Sequence, residues 1–145
     1  MIAESTKTTI RTGNLDDLEW IISELKSFSD SLNMRYELFN EEYIRAMFPI
    51  LFDKVMLIAE RNEERIGFIA GTLCTHPFNP KIKILQEMFW WVNEANRHSR
   101  AGLLLLNAFI AIGKEKADLI FMSLESNTKL REETMVRRGF HLMER

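Results

Sequence analysis

The stretch Lys81–Gly113, KIKILQEMFWWVNEANRHSRAGLLLLNAFIAIG, constrains this chain most. It reads as a long strand, a short polar and basic loop, and then a helix that is apolar nearly all round. Leu103–Leu106 and Ala108–Ile112 leave that helix no polar face wide enough for a surface position, so it must be largely buried. The loop Asn96–Gly102 (NRHSRAG) carries two arginines and a glycine where the helix begins. Free N–H groups at a helix start, with the helix dipole, favour an anion. Arginines beside them add charge-assisted hydrogen bonds. Strand, loop and helix together suit a phosphorylated ligand.

The rest of the chain supplies partners for this unit. Thr8–Thr12 is a short strand candidate bounded by Gly13. Asn14 stands as an N-cap with Asp17 at the capping-box position. Leu15, Leu18, Ile21, Ile22, Leu25 and Phe28 follow at helical spacing. Ser29–Arg35 reads as a loop, and a second helix starts at Asn40-Glu41-Glu42, which Pro49 should end or kink near Phe48. Lys54–Glu60 and Ile66–Thr75 predict a hairpin joined through Arg61–Arg65. Gly67 and Gly71 within the second strand suggest a bulge or a close approach. Gly113 and Lys114–Lys116 mark a frayed helix end, and Leu119–Leu124 reads as a buried strand. Thr128–Arg138 predicts a polar helix closed by Gly139, and Phe140–Met143 a last strand.

With these neighbours in view, the central unit resembles the GNAT superfamily of acetyltransferases. Those enzymes bind the pyrophosphate of acetyl-CoA with a loop Arg/Gln-x-x-Gly-x-Gly/Ala between their fourth strand and third helix. Arg97-His98-Ser99-Arg100-Ala101-Gly102 matches at the first and last positions, with Arg100 in place of the middle glycine. Glu87–Val92 (EMFWWV) is similar to the strand that leads into that loop, and Leu103–Leu106 to the start of the cofactor helix. Asn127 and Gly139-Phe140 resemble the second cofactor-side motif. The Phe-Trp-Trp-Val and Arg-x-Ser-Arg style is similar to small acetyltransferases of tailed bacteriophages.

The resemblance implies an α/β (α+β) fold: a central mixed, mostly antiparallel sheet of about six strands with about four helices. It implies acetyl-CoA as cosubstrate. Cofactor contacts would come from Trp90, Trp91 and Val92 through their backbone, from Arg97, His98, Ser99, Arg100, Ala101 and Gly102, and from Asn127. It also implies a further strand for which almost no chain remains after Gly139-Phe140: either the domain is trimmed, or a second copy covers that sheet edge as a homodimer, or the sequence is cut short.

Glu87 is the candidate general base, since an ammonium acceptor must lose a proton before it attacks a thioester. The same glutamate also reads as a plain edge residue. The tyrosine that many relatives place four residues before the Gly-Phe pair is Met135 here, which cannot donate a proton. Ser126, Tyr36, Tyr43 or water could take that role. Asn127 also reads as an N-cap for the helix after it, and Cys74 as a small hydrophobe.

Composition excludes several other classes. At 145 residues the chain fits a single domain, 1–145, and its net charge of −2 offers no basic footprint for nucleic acid. No apolar run approaches the roughly 20 residues needed to span a membrane. The N-terminus MIAESTKTTIR lacks a signal-peptide core, and a lone Cys74 fits a reducing cytoplasm. His76, His98 and His141 are scattered without metal-site spacing. Two functions therefore compete. One is an acetyl-CoA-dependent N-acetyltransferase acting on a primary amine. The other is a weak or inactive module of the same fold that binds CoA or a protein partner.

Overall fold

The computed structural model describes residues 7–32, 39–52, 55–123 and 132–141, with backbone alone at 51–52. Its elements are β1 (Thr9–Thr12), α1 (Leu18–Ser31), α2 (Glu41–Phe52), β2 (Val55–Arg61), β3 (Glu64–His76), β4 (Asn79–Val92), α3 (Ala101–Lys116), β5 (Leu119–Phe121) and α4 (Glu132–Val136). Among the described residues the strands form one sheet in the order β1-β2-β3-β4-β5. The first four are antiparallel and β5 runs parallel to β4.

Helices cover both faces. Ile21 and Leu25 of α1 and Phe48 of α2 pack on Met56, Ile58, Phe68, Ala70 and Trp91. On the opposite face Ala101, Leu105 and Phe109 of α3 pack on Val55, Leu57, Ile69 and Leu85. The remaining side of α3 is not left in water, because Leu106 and Ile110 meet Met135 of α4. That double contact is why its sequence is apolar nearly all round. Among the described residues no helix is long and apolar enough to cross a membrane.

Local chemistry fixes the joints. Asn14 and Asp17 form the expected capping box around a 3-10 turn at Leu15–Asp17. Asp17 does more than cap: it is fully buried and accepts hydrogen bonds from Arg11 at 2.7 and 2.8 Å and from Arg65 at 2.7 Å. Arg11 also pairs with Glu60. One carboxylate thus ties the start of α1 to β1 and β3. Burial pushes its pKa up, but Arg11, the Asn14 amide and Arg65 outweigh burial and hold it at about 2. The β2–β3 connection shrinks to Asn62 and Glu63, both at positive φ, as a two-residue turn of right-handed strands requires. After α4, Gly139 at φ +92° closes the helix. Its N–H donates to Val136 O and that of Phe140 to Met135 O, a Schellman cap completed by contact of Phe140 with the Met135 cluster.

Several expectations are corrected. Helix α1 continues to Ser31, inside the predicted loop, and carries Phe28 onto Phe89 and Trp91. Pro49 does not end α2, which runs on to Phe52. A proline so near the C-terminus removes a single ladder bond. Gly113 is not a frayed end: α3 reaches Lys116 and Gly113 is buried. A Cβ there would lie 2.3 Å from Ile120 Cδ1, so glycine lets α3 approach β5. Strand β5 is shorter and more exposed than a buried strand, with Leu119 exposed. Phe140 and His141 are not in a strand, and the rest of the predicted last strand lies outside the described residues; the sheet has five strands among the described residues, close to the expected six. Of the predicted helix 128–138, residues 132–136 are helical and 128–131 lie outside the described residues.

Candidate functional site

The site grows from a mismatch in length between two parallel strands. β5 pairs with β4 only over Ile84, Leu85 and Gln86, where it ends at Phe121. From Glu87 to Val92, β4 keeps β3 on one side and has no strand on the other among the described residues. Side chains take the carbonyls at the two ends of this stretch, Gln86 at Glu87 O and Arg97 at Val92 O, and between them β4 has one edge without a strand partner among the described residues. The Gln86 amide stands where the strands part, donating to Glu87 O at 3.1 Å and to Phe121 O at 3.5 Å. An extended ligand with amide groups can add to such an edge as a strand would.

A bulge sits in the same place. Ala70 pairs with Phe89 and Gly71 with Glu87, so Met88 has no partner opposite. The bulge shifts the alternation of side chains. Leu85 packs on the α3 face, and so do Trp90 and Val92, while Phe89 and Trp91 pack on the α1–α2 face. Gly71, beside the bulge, admits the Phe109 ring of α3: a Cβ would lie 2.8 Å from it. Glu87 is half-buried, and one carboxylate oxygen accepts from the Ser123 amide just past β5, at 3.4 Å. The glutamate therefore bridges the mouth of the gap rather than standing in open solvent.

The open edge leads to the start of α3. Residues Glu94–Asn96 form a 3-10 turn, and Ser99 locks the next step by donating its hydroxyl to Asn96 O at 2.6 Å. The same hydroxyl accepts from the Ala101 amide at 3.2 Å. The first helical bond runs from Leu104 N to Arg100 O. Among the described residues no acceptor meets the amides of Arg100, Gly102 and Leu103. These are the orphan donors of a helix start. A Cβ added to Gly102 would meet only Val92 Cγ2, at 3.7 Å, so packing within the protein does not demand glycine there. Ala101 is buried, Ser99 half-buried, and Arg97, His98 and Arg100 exposed.

The two arginines differ. Arg97 turns back over β4: its Nε donates to Val92 O at 3.0 Å and its guanidinium lies 4.4 Å from the Trp91 ring centre. Arg100 meets no carboxylate among the described residues. Trp91 in turn donates its indole N–H to Glu24 of α1 at 2.9 Å. Glu24 was not singled out in the sequence, yet its spacing carried a signal. It lies three residues after Ile21 and four before Phe28, on the buried face of α1.

Glu87, Trp90, Trp91, Val92 and the residues 97–102 are thus gathered along one strand edge and the turn after it. Asn127 and Ser126, and Tyr36, lie outside the described residues. Tyr43 is exposed on α2, and Met135 is buried against α3.

No family model and no curated protein matches this chain. Solved structures do. A transcriptional regulator from Bacillus halodurans is 19% identical over 96% of each chain, with a TM-score of 0.76. A predicted acetyltransferase from Clostridium acetobutylicum, solved with acetyl-CoA, is 16% identical over 95% of this chain and 92% of its own, with a TM-score of 0.78. AAC(6')-Iy, solved with a CoA bisubstrate analogue, is 16% identical over 96% of this chain and 94% of its own, with a TM-score of 0.74. The mixed sheet, the helices on its two faces and these likenesses agree: the chain has the fold of the GNAT-type acetyltransferases.

Proposed function

We propose that this chain is an acetyl-CoA-dependent N-acetyltransferase, an acyltransferase that moves an acetyl group to a primary amine by direct attack. One observation carries the reading: among the described residues the edge of β4 past Glu87 has no strand beside it and runs into the amides at the start of α3 that meet no acceptor. The edge fits the amide-bearing arm of the cosubstrate through the backbone of Trp90, Trp91 and Val92. The amides of residues 100–103, with Arg100, fit its pyrophosphate. Gly102 keeps that approach free of a side chain.

In this reading the amine nitrogen attacks the thioester carbon. A C–N bond forms, the C–S bond breaks, and the thiolate leaves with the sulfur electron pair. Glu87 takes the proton that the amine loses, directly or through water. Met135 offers no proton, so the thiolate takes one from Ser126, Tyr36, Tyr43 or solvent. The same reading takes the 145 residues as one domain, working in a cytoplasm as the lone cysteine fits, with a homodimer as its assembly.

Gly102→Glu tests the cosubstrate site. Glutamate is a good helix former and suits a first turn, so the fold should keep its melting temperature. The added carboxylate should weaken acetyl-CoA by about 100-fold or more in calorimetry. Unchanged affinity in the variant, or no binding by the wild type, would overturn the proposal. A second reading has its own support: burial of Met135, where many relatives place a tyrosine, fits a module that binds CoA without turning it over. Binding without thiol release against any amine would favour it.

A further inference from the structure

The two arginines of the turn face different tasks, and their contacts separate them. A cation that serves as a phosphate ligand needs its N–H groups aimed outward. Arg97 instead spends its Nε–H on Val92 O, five residues back along the chain. Its guanidinium carbon lies over the Trp91 ring, 4.4 Å from the ring centre. Trp91 is itself held by α1, through a hydrogen bond to Glu24 at 2.9 Å and a T-shaped contact with Phe28, ring centres 5.3 Å apart. A path of direct contacts therefore runs from α1 through the indole to the turn that precedes α3.

We propose that Arg97 is a positioning residue, a strut that clamps the anion-binding turn onto the end of β4 and, through Trp91 and Glu24, onto α1. Arg100 then supplies the charge that meets the ligand. The assignment deepens the acetyl-CoA reading and rests on it for its ligand, but the strut itself exists without ligand. The strut depends on shape. A flat guanidinium can stack on the indole while its Nε–H points along the ring plane to a carbonyl. An ammonium carries the same charge and can sit over a ring or donate to a carbonyl, but it has no flat face and fixed fork with which to do both at once.

Lysine substitution therefore separates shape from charge. Two measurements are needed, one without ligand and one with acetyl-CoA. In the free protein, exchange of the hydrogen-bonded amides of the turn, those of Ser99, Ala101 and Leu104, should quicken about tenfold in Arg97→Lys and in Arg97→Ala alike. It should not change in Arg100→Ala. With acetyl-CoA, both Arg97 variants should bind about tenfold more weakly, yet keep the wild-type dependence of log Kd on log salt. Arg100→Ala should flatten that dependence, and Arg100→Lys should restore it.

Wild-type exchange in Arg97→Lys would overturn the strut, whatever the ligand does. So would a flattened salt dependence in Arg97→Ala that lysine restores, which would make Arg97 a direct phosphate ligand. Failure of the wild type to bind acetyl-CoA would sink the acetyltransferase reading alone. The exchange measurement would still decide the role of Arg97.

Discussion

Replacing Glu87 with glutamine is expected to slow amine-dependent release of thiol from acetyl-CoA by about 10²- to 10⁴-fold, the usual contribution of a positioned base. Glutamine has nearly the same shape and can still accept the Ser123 amide, so the mouth of the gap should keep its form. Acetyl-CoA affinity should stay within about twofold, since the missing group is charge at the reacting centre rather than a contact to the long arm. The pH profile adds a second readout. If Glu87 accepts the proton, the acid limb of kcat/KM that belongs to it should vanish in the variant. The measurement is a thiol assay against a polyamine, an aminoglycoside, a lysine peptide and a peptide with a free N-terminus. A variant as fast as the wild type on the accepted amine would remove Glu87 from the chemistry and point to solvent as the base.

The largest effect on stability should come from Asp17→Asn. The substitution keeps the size of the side chain and its cap oxygen but leaves Arg11 and Arg65 facing an uncharged group. Breaking a buried charge pair from one side costs about 3–5 kcal/mol. Here the arginines are about one-third exposed, and solvent screens part of their attraction. A loss of about 3 kcal/mol is therefore expected, or roughly 10 °C in Tm. Acid should reveal the same group. Its folded pKa, about 2, lies below the ordinary 3.8, so the stabilisation is complete above pH 4 and is lost as pH falls through 2. That part is on the order of 2 kcal/mol. Urea unfolding at several pH values should show wild type and variant converging in stability as the pH approaches 2. A constant gap across that range would mean that Asp17 acts by shape and not by charge.

Much of the fold could be read from local patterns, because local chemistry sets those features. The capping box at Asn14 and Asp17, the positive φ at Gly139 and the burial of α3 all follow from residues within a few positions of one another. What could not be read depends on contacts distant in sequence. Asp17 looks like an ordinary cap until Arg65 arrives from β3, 48 residues away. Gly113 looks like a helix end until Ile120 is seen against it. Pro49 looks like a stop, yet α2 runs past it. The site was legible as a loop and a strand, and the resemblance of Glu87–Val92 and Arg97–Gly102 placed both. The gap itself was not, since it depends on where β5 ends beside β4. Nor were the different contacts of Arg97 and Arg100, because one motif covers both and only Trp91 and Val92 O tell them apart.

The bulge at Met88 also says something about how the gene can change. Met88 is the one residue by which β4 exceeds its partner there, and the faces on either side of it are already in step with β3. A message lacking that codon would still put Leu85, Trp90 and Val92 toward α3, and Phe89 and Trp91 toward α1. Such a chain should fold with its core intact, while β4 runs straighter past the gap and Glu87 moves relative to the turn at 97–102. On the proposed reading, loss of Met88 is thus an edit that packing would tolerate and acetyl transfer would not.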